Sequence, residues 1–202
     1  LGIDEQVSVA KTKYEANKKI CLQNTGRTDD AVLLSDCSKI PVNGGWLKPL
    51  NRGVITSEVG SRWGDYHNAL DIGGNAEGTP VYAAAAGKVS GKIYQYRCGG
   101  NMLYIDVVVD GKKYTTYYYH LLRFNVNVGD IVDQNTIIGW VGGGSTATSS
   151  GGYDQCTFGA HLHYGVANGW FSGTISRSSV IIPPGFPNQY GWRFYARTDY
   201  YR

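Results

Sequence analysis

The chain is expected to be mainly β, an antiparallel sandwich or barrel-like sheet with a short helical appendage at its N-terminus. Three observations predict this. Of 202 residues, 28 are Gly and 16 are Tyr, with 42% hydrophobic and only 17% charged, a balance that favours turns and half-buried strands over a helical bundle. From Trp46 onward short apolar segments recur between turn signals. Asp110-Gly111, between two alternating runs, is the strongest hairpin signal present.

Taken in order, residues 1–44 form the appendage. Val7, Ala10, Tyr14, Ala16 and Ile20 recur at loosely helical spacing over 4–23, and Asn24-Thr25-Gly26 ends the helix. A second short helix is expected at Ala31–Leu34, capped by Asp29 or Asp30. Pro41, Asn43-Gly44-Gly45 and Pro49 then mark a linker. Strands are expected at Val54–Val59, Val81–Ala86, Gly87–Tyr96, Met102–Val109, Lys112–His120, Ile137–Val141 and His161–Ala167, the last closed by a hairpin signal at Asn168-Gly169. The main domain is placed at 45–182. An aromatic tail at 183–202, broken by Pro183-Pro184 and Pro187, is expected to pack along the sheet edge. Gly142–Gly152 is polar and glycine-rich, a candidate wall or lid beside a site.

A formal charge of +3 with scattered Lys and Arg argues against nucleic acid as a partner. No segment reaches the ~20 apolar residues that would span a bilayer, and no signal peptide is visible. Leu1 in place of an initiating methionine is expected of a mature form or an excised piece. Cys21, Cys37, Cys98 and Cys156 contain no C-x-x-C pair, so two disulfides in an oxidising compartment are expected. Cys21–Cys37 with Cys98–Cys156 is the simplest pairing. The first would staple residues 1–44, a closure worth about 3 kcal/mol in the chain-entropy account.

The chemistry centres on histidine, of which there are four. His161 and His163 are two apart on a strand and so project from one face. His67 and Asp71 are four apart in a segment that Gly64 and Gly73-Gly74 make turn-like. A hydrolytic zinc site takes three ligands from His, Asp or Glu and leaves one position for water, whose pKa it lowers towards ~7. His67 and Asp71 supply two ligands, and either His161 or His163 the third. The histidine left over and His120 then serve as general base and as donor to the oxyanion and leaving amine. Spacing does not decide between His161 and His163. Zinc follows from the ligand types.

These residues resemble a known family. Trp63-Gly64-Asp65-Tyr66-His67-Asn68-Ala69-Leu70-Asp71-Ile72-Gly73 resembles the first zinc motif of the M23 metallopeptidases. Gly78–Val89 resembles the segment that follows it, Tyr118-Tyr119-His120-Leu121 the catalytic-histidine motif, and Gly159–Tyr164 the second zinc motif. The resemblance covers roughly residues 50–170. It implies zinc on His67, Asp71 and His163, with His161 and His120 as the catalytic pair. It also implies a mainly antiparallel sheet whose loops wall a narrow groove, and a Cys98–Cys156 disulfide like that of LasA-like members.

The function implied is hydrolysis of peptide bonds in bacterial peptidoglycan, in a cross-bridge or stem peptide, outside the cell or in its envelope. A partner-facing or inhibitory role is open for residues 1–44. Two alternatives stand beside it: a non-catalytic envelope protein that regulates a peptidoglycan amidase, and a secreted protease that cuts Gly-rich proteins.

Overall fold

The computed structural model describes residues 45–144 and 156–199. The two helices expected within 1–44, the Cys21–Cys37 pair and most of the Gly142–Gly152 segment lie outside them. Thirteen strands are present among the described residues, all paired antiparallel, and no α-helix. They are β1 (Gly53–Ser57), β2 (Gly60–Arg62), β3 (Asp65–His67), β4 (Leu70–Gly73), β5 (Pro80–Tyr82), β6 (Gly87–Tyr96), β7 (Gly100–Val109), β8 (Lys112–Phe124), β9 (Ile131–Val132), β10 (Ile137–Val141), β11 (Leu162–Asn168), β12 (Val180–Ile181) and β13 (Arg193–Phe194).

Eleven strands form one sheet, ordered β13-β1-β4-β11-β8-β7-β6-β9, with β10 bridging β5 and β8 and β12 pairing β11. Strands β2 and β3 form a separate ribbon. Asp110 (φ 51°) and Gly111 (φ 77°) make the tight turn between β7 and β8, as an Asp-Gly hairpin should.

Alternation sorts the central strands into two faces. Leu70 and Ile72 of β4, Leu103, Ile105 and Val107 of β7, Tyr118 and Leu121 of β8, and Leu162, Tyr164 and Val166 of β11 enter the main core. On the opposite face Met102, Tyr104, Tyr117 and Ala167 form a smaller aromatic cluster, against which Tyr119 packs. Asp71 lies between Leu70 and Ile72, and His163 between Leu162 and Tyr164, so both belong to this second face.

Several expectations need correction. His67–Asp71 is not turn-like: His67 ends β3 and Asp71 sits within β4. The ribbon turns at Trp63 (φ 41°) and Gly64 (φ 83°), a two-residue hairpin loop whose positive φ values match its right-handed twist. Of the apolar run Val81–Ala86, only β5 is strand. Ala83–Ala86 is a buried bend, because its small side chains let backbone enter the core. Asn168-Gly169 does not close a tight hairpin. β11 next pairs with β12, eleven residues further on, while the Gly169 N–H donates to Lys113 O across the neighbouring hairpin end.

The C-terminal segment lies along the sheet edge. β13 pairs β1, and Arg197 donates to the carbonyls of Lys48, Gln134 and Ala83. Phe186 and Phe194 are buried there, whereas Tyr190 and Tyr195 are exposed.

Candidate metal centre

Register brings the centre together. On β11, His163 stands opposite Asp71 of β4 on one side and Tyr119 of β8 on the other. Directly opposed residues share a face at short Cβ separation, so a central histidine faces a carboxylate without any loop rearrangement. His67 arrives from the ribbon. Its Nδ1–H donates to Glu58 O at 2.8 Å, which leaves the Nε2 lone pair aimed inward. Arg177 holds the ribbon from outside, donating to Ser61 and lying over the Tyr66 ring.

Three atoms converge: His67 Nε2, His163 Nδ1 and Asp71 Oδ1. Their separations are 3.2 Å between the two nitrogens, 3.2 Å from His67 to Asp71 and 3.1 Å from His163 to Asp71. Zinc bonds of about 2.0–2.1 Å at tetrahedral angles require ligand atoms roughly 3.3 Å apart. The donor set therefore fits such an ion in both type and spacing. Three lone-pair atoms packed this closely repel one another unless a cation or a proton lies between them.

Electrostatics suits the same role. Burial would raise the Asp71 carboxyl, but the close imidazoles of His163 and His67 outweigh it and hold it well below the usual carboxylate range. Burial pushes the His163 imidazole down to about 4, against the opposing pull of Asp71. At neutral pH the carboxylate is thus charged and the imidazole neutral, the forms in which each can ligate a metal.

His120 and His161 complete the cluster. Their ring centroids lie 4.6 Å apart, and His120 is 5.7 Å from His163. His161 donates Nδ1–H to Gly159 O at 2.8 Å and turns Nε2 to within 3.7 Å of Asp71 Oδ1. His67, His120 and His163 are 6–8% exposed, whereas the side chains of Asp71 and His161 reach 14% and 17%. The cluster is therefore most open on the Asp71–His161 side.

His120 reaches this face by an irregularity. Leu103 pairs Tyr118 and Asn101 pairs Leu121, so one residue of β7 (Met102) opposes two of β8, Tyr119 and His120. That bulge, with His120 at φ 61°, keeps both Tyr118 and Leu121 in the main core and turns His120 towards the histidines. The bend is held by His120 N–H to Gly99 O and by Asn101 Nδ2 to the carbonyls of Leu121 and Leu122. Gly142 lies against it so closely that a Cβ there would meet His120 O at 2.5 Å.

A disulfide joins Cys98 to Cys156, tying the β6–β7 turn to the approach of β11. Beside the same approach, Gly144 N–H donates to Glu77 Oε1 at 2.6 Å. All five expected site residues are thus brought together. Sequence reasoning missed Asn68, whose amide oxygen meets His163 Nε2 at 2.9 Å, and the stacking of Tyr119 on His163 with centroids 4.7 Å apart and planes 4° from parallel. The period-2 spacing of Tyr117 and Tyr119 was the available signal for the second.

The profile of peptidase family M23 matches residues 65–173, more than half of the chain and all five residues of the cluster. The chain belongs to peptidase family M23. Lysostaphin of Staphylococcus staphylolyticus is 35% identical over 101 residues, which cover 50% of this chain and 18% of that protein. Glycyl-glycine endopeptidase ALE-1 of Staphylococcus capitis is 34% identical over 117 residues, 58% of this chain and 29% of that one. The chain thus matches less than a third of the length of either relative. Among solved structures, that of LytU superposes with a TM-score of 0.50 at 28% identity, covering 70% of this chain and 88% of its own. These relations accord with the antiparallel fold.

Proposed function

We propose that this family member is a zinc-dependent endopeptidase that hydrolyses peptide bonds in bacterial peptidoglycan, acting outside the cell or in its envelope. The observation that carries the reading is the trio of lone-pair atoms 3.1–3.2 Å apart, flanked by the adjacent imidazoles of His120 and His161. His67, Asp71 and His163 would hold the metal. The chemistry zinc supplies when bound there is Lewis acidity, which makes water more acidic and polarises a scissile carbonyl.

The rest is done by the chain's own side chains. His161 donates a hydrogen bond from Nδ1–H to Gly159 O, so Nε2, on the Asp71 side, is the basic nitrogen and takes a proton from the attacking water. His120, next to it, donates to the oxyanion and gives a proton to the leaving amine, and the proton that His161 took makes good that loss, so the pair ends as it began. The buried walls of the cluster strengthen these contacts by lowering the local dielectric.

ALE-1 carries the name of a glycyl-glycine endopeptidase, which makes an oligoglycine cross-bridge the first substrate to try. Purified cell walls incubated with the protein should lose turbidity and release new amino termini, and a chelator should stop both. Walls unchanged with and without chelator would contradict the proposal. Oligoglycine tested against a D-Ala-containing cross-link assigns the bond.

A further inference from the structure

A metal-ligating imidazole works only in one tautomer and one ring orientation, and the group that binds its other nitrogen sets both. For His67 that group is a backbone carbonyl. For His163 it is a side chain, the Asn68 amide oxygen at 2.9 Å from Nε2. Asn68 lies inside the His67–Asp71 spacing, so the same short segment that supplies two of the converging atoms also reaches the third ligand from behind. Its backbone is anchored separately, because the Tyr117 hydroxyl donates to Asn68 O. Tyr117 in turn packs against Gly165, two residues along β11 from His163, where a Cβ would come within 2.0 Å of its ring. Tyr119 stacks on the imidazole and limits its rotation.

We infer that Asn68 is a positioning residue for His163: its amide oxygen accepts the Nε2 proton and so keeps the Nδ1 lone pair for the cation shared with His67 and Asp71. The inference deepens the proposed function and rests on it. An acceptor is what the position requires, so Asp can replace Asn there, while an apolar side chain of similar size cannot.

The test is zinc affinity measured by chelator competition, with thermal midpoints recorded for each variant. Asn68→Leu should bind zinc 10–100-fold more weakly than the parent, and Asn68→Asp should bind at least as tightly as the parent. In the zinc-loaded parent, long-range 1H–15N spectra should show His163 protonated at Nε2 alone. If Asn68→Leu binds zinc as tightly as the parent, or Asn68→Asp binds as weakly as the leucine variant, the inference is overturned. Asp71→Ala separates the two levels. Zinc lost in Asp71→Ala but kept in Asn68→Leu removes only the role of Asn68, whereas zinc unaffected in Asp71→Ala removes the site itself. Should the leucine variant fold poorly, the aspartate variant and the His163 spectrum decide.

Discussion

Lys48 and Asp71 are both ionisable groups set into the apolar body of the domain, and their surroundings differ in kind. The Lys48 ammonium donates to Gly185 O at 3.0 Å and lies over the rings of Phe186, Trp192 and Phe194 at 4.7, 5.4 and 5.7 Å. Donor meets acceptor and cation meets π-face, so each partner complements the charge. Around Asp71 the partners are lone-pair atoms gathered on one point, with the more exposed side chains to one side. One cluster is saturated by its own neighbours; the other needs something added. On the proposed function, that difference separates a charge that holds a chain segment in place from a charge that holds a metal.

The largest effect expected is at the unsaturated cluster. Asp71→Ala should abolish both zinc binding and wall hydrolysis while the sheet stays folded, as judged by circular dichroism and metal analysis. His120→Ala comes next, with activity lowered about 10²–10⁴-fold, the usual contribution of a proton-transferring side chain. Its zinc content should equal that of the parent, since His120 stands outside the ligand trio. Loss of zinc together with activity would merge roles that the geometry keeps apart.

Gly165→Ala probes the support of the centre. Its Cβ would run into the Tyr117 ring, so a loss of roughly 1–3 kcal/mol in denaturant unfolding is expected, the usual cost of overpacking.

The smallest effect belongs to the saturated cluster. Burial lowers the Lys48 pKa to about 8, partly opposed by Asp199. The unfolded chain keeps this proton to about pH 10.5, so between pH 8 and 10.5 the unfolded state binds more protons and Lys48 makes stability rise with pH. Below pH 8 its cost is constant. Lys48→Met should remove that part of the slope, read as the difference in thermal midpoint between variant and parent across this range. Hydrolysis near neutral pH should not change.

How far the sequence speaks follows the same division. The His-x-His pair, the His67–Asp71 spacing and the Asp110-Gly111 turn are local patterns, and strand periodicity or turn chemistry is enough to read them. The strands of β6, β10 and most of β8 were legible for the same reason. The bulge that turns His120 was not, because it depends on Tyr118 and Leu121 both seeking the main core across a two-residue gap. The short strands β2, β3 and β4 carry no period long enough to show. The Lys48 cluster joins residues more than 130 positions apart, a contact that no local pattern reports.

The most direct test of the central claim is X-ray absorption at the zinc edge on protein loaded with one equivalent of zinc. The account predicts two imidazole nitrogens and one carboxylate oxygen at about 2.0–2.2 Å from the protein, with the imidazole signal reduced in His163→Ala and the bound metal lost in Asp71→Ala. Zinc held by other ligands, or a spectrum unaltered by both substitutions, would contradict it.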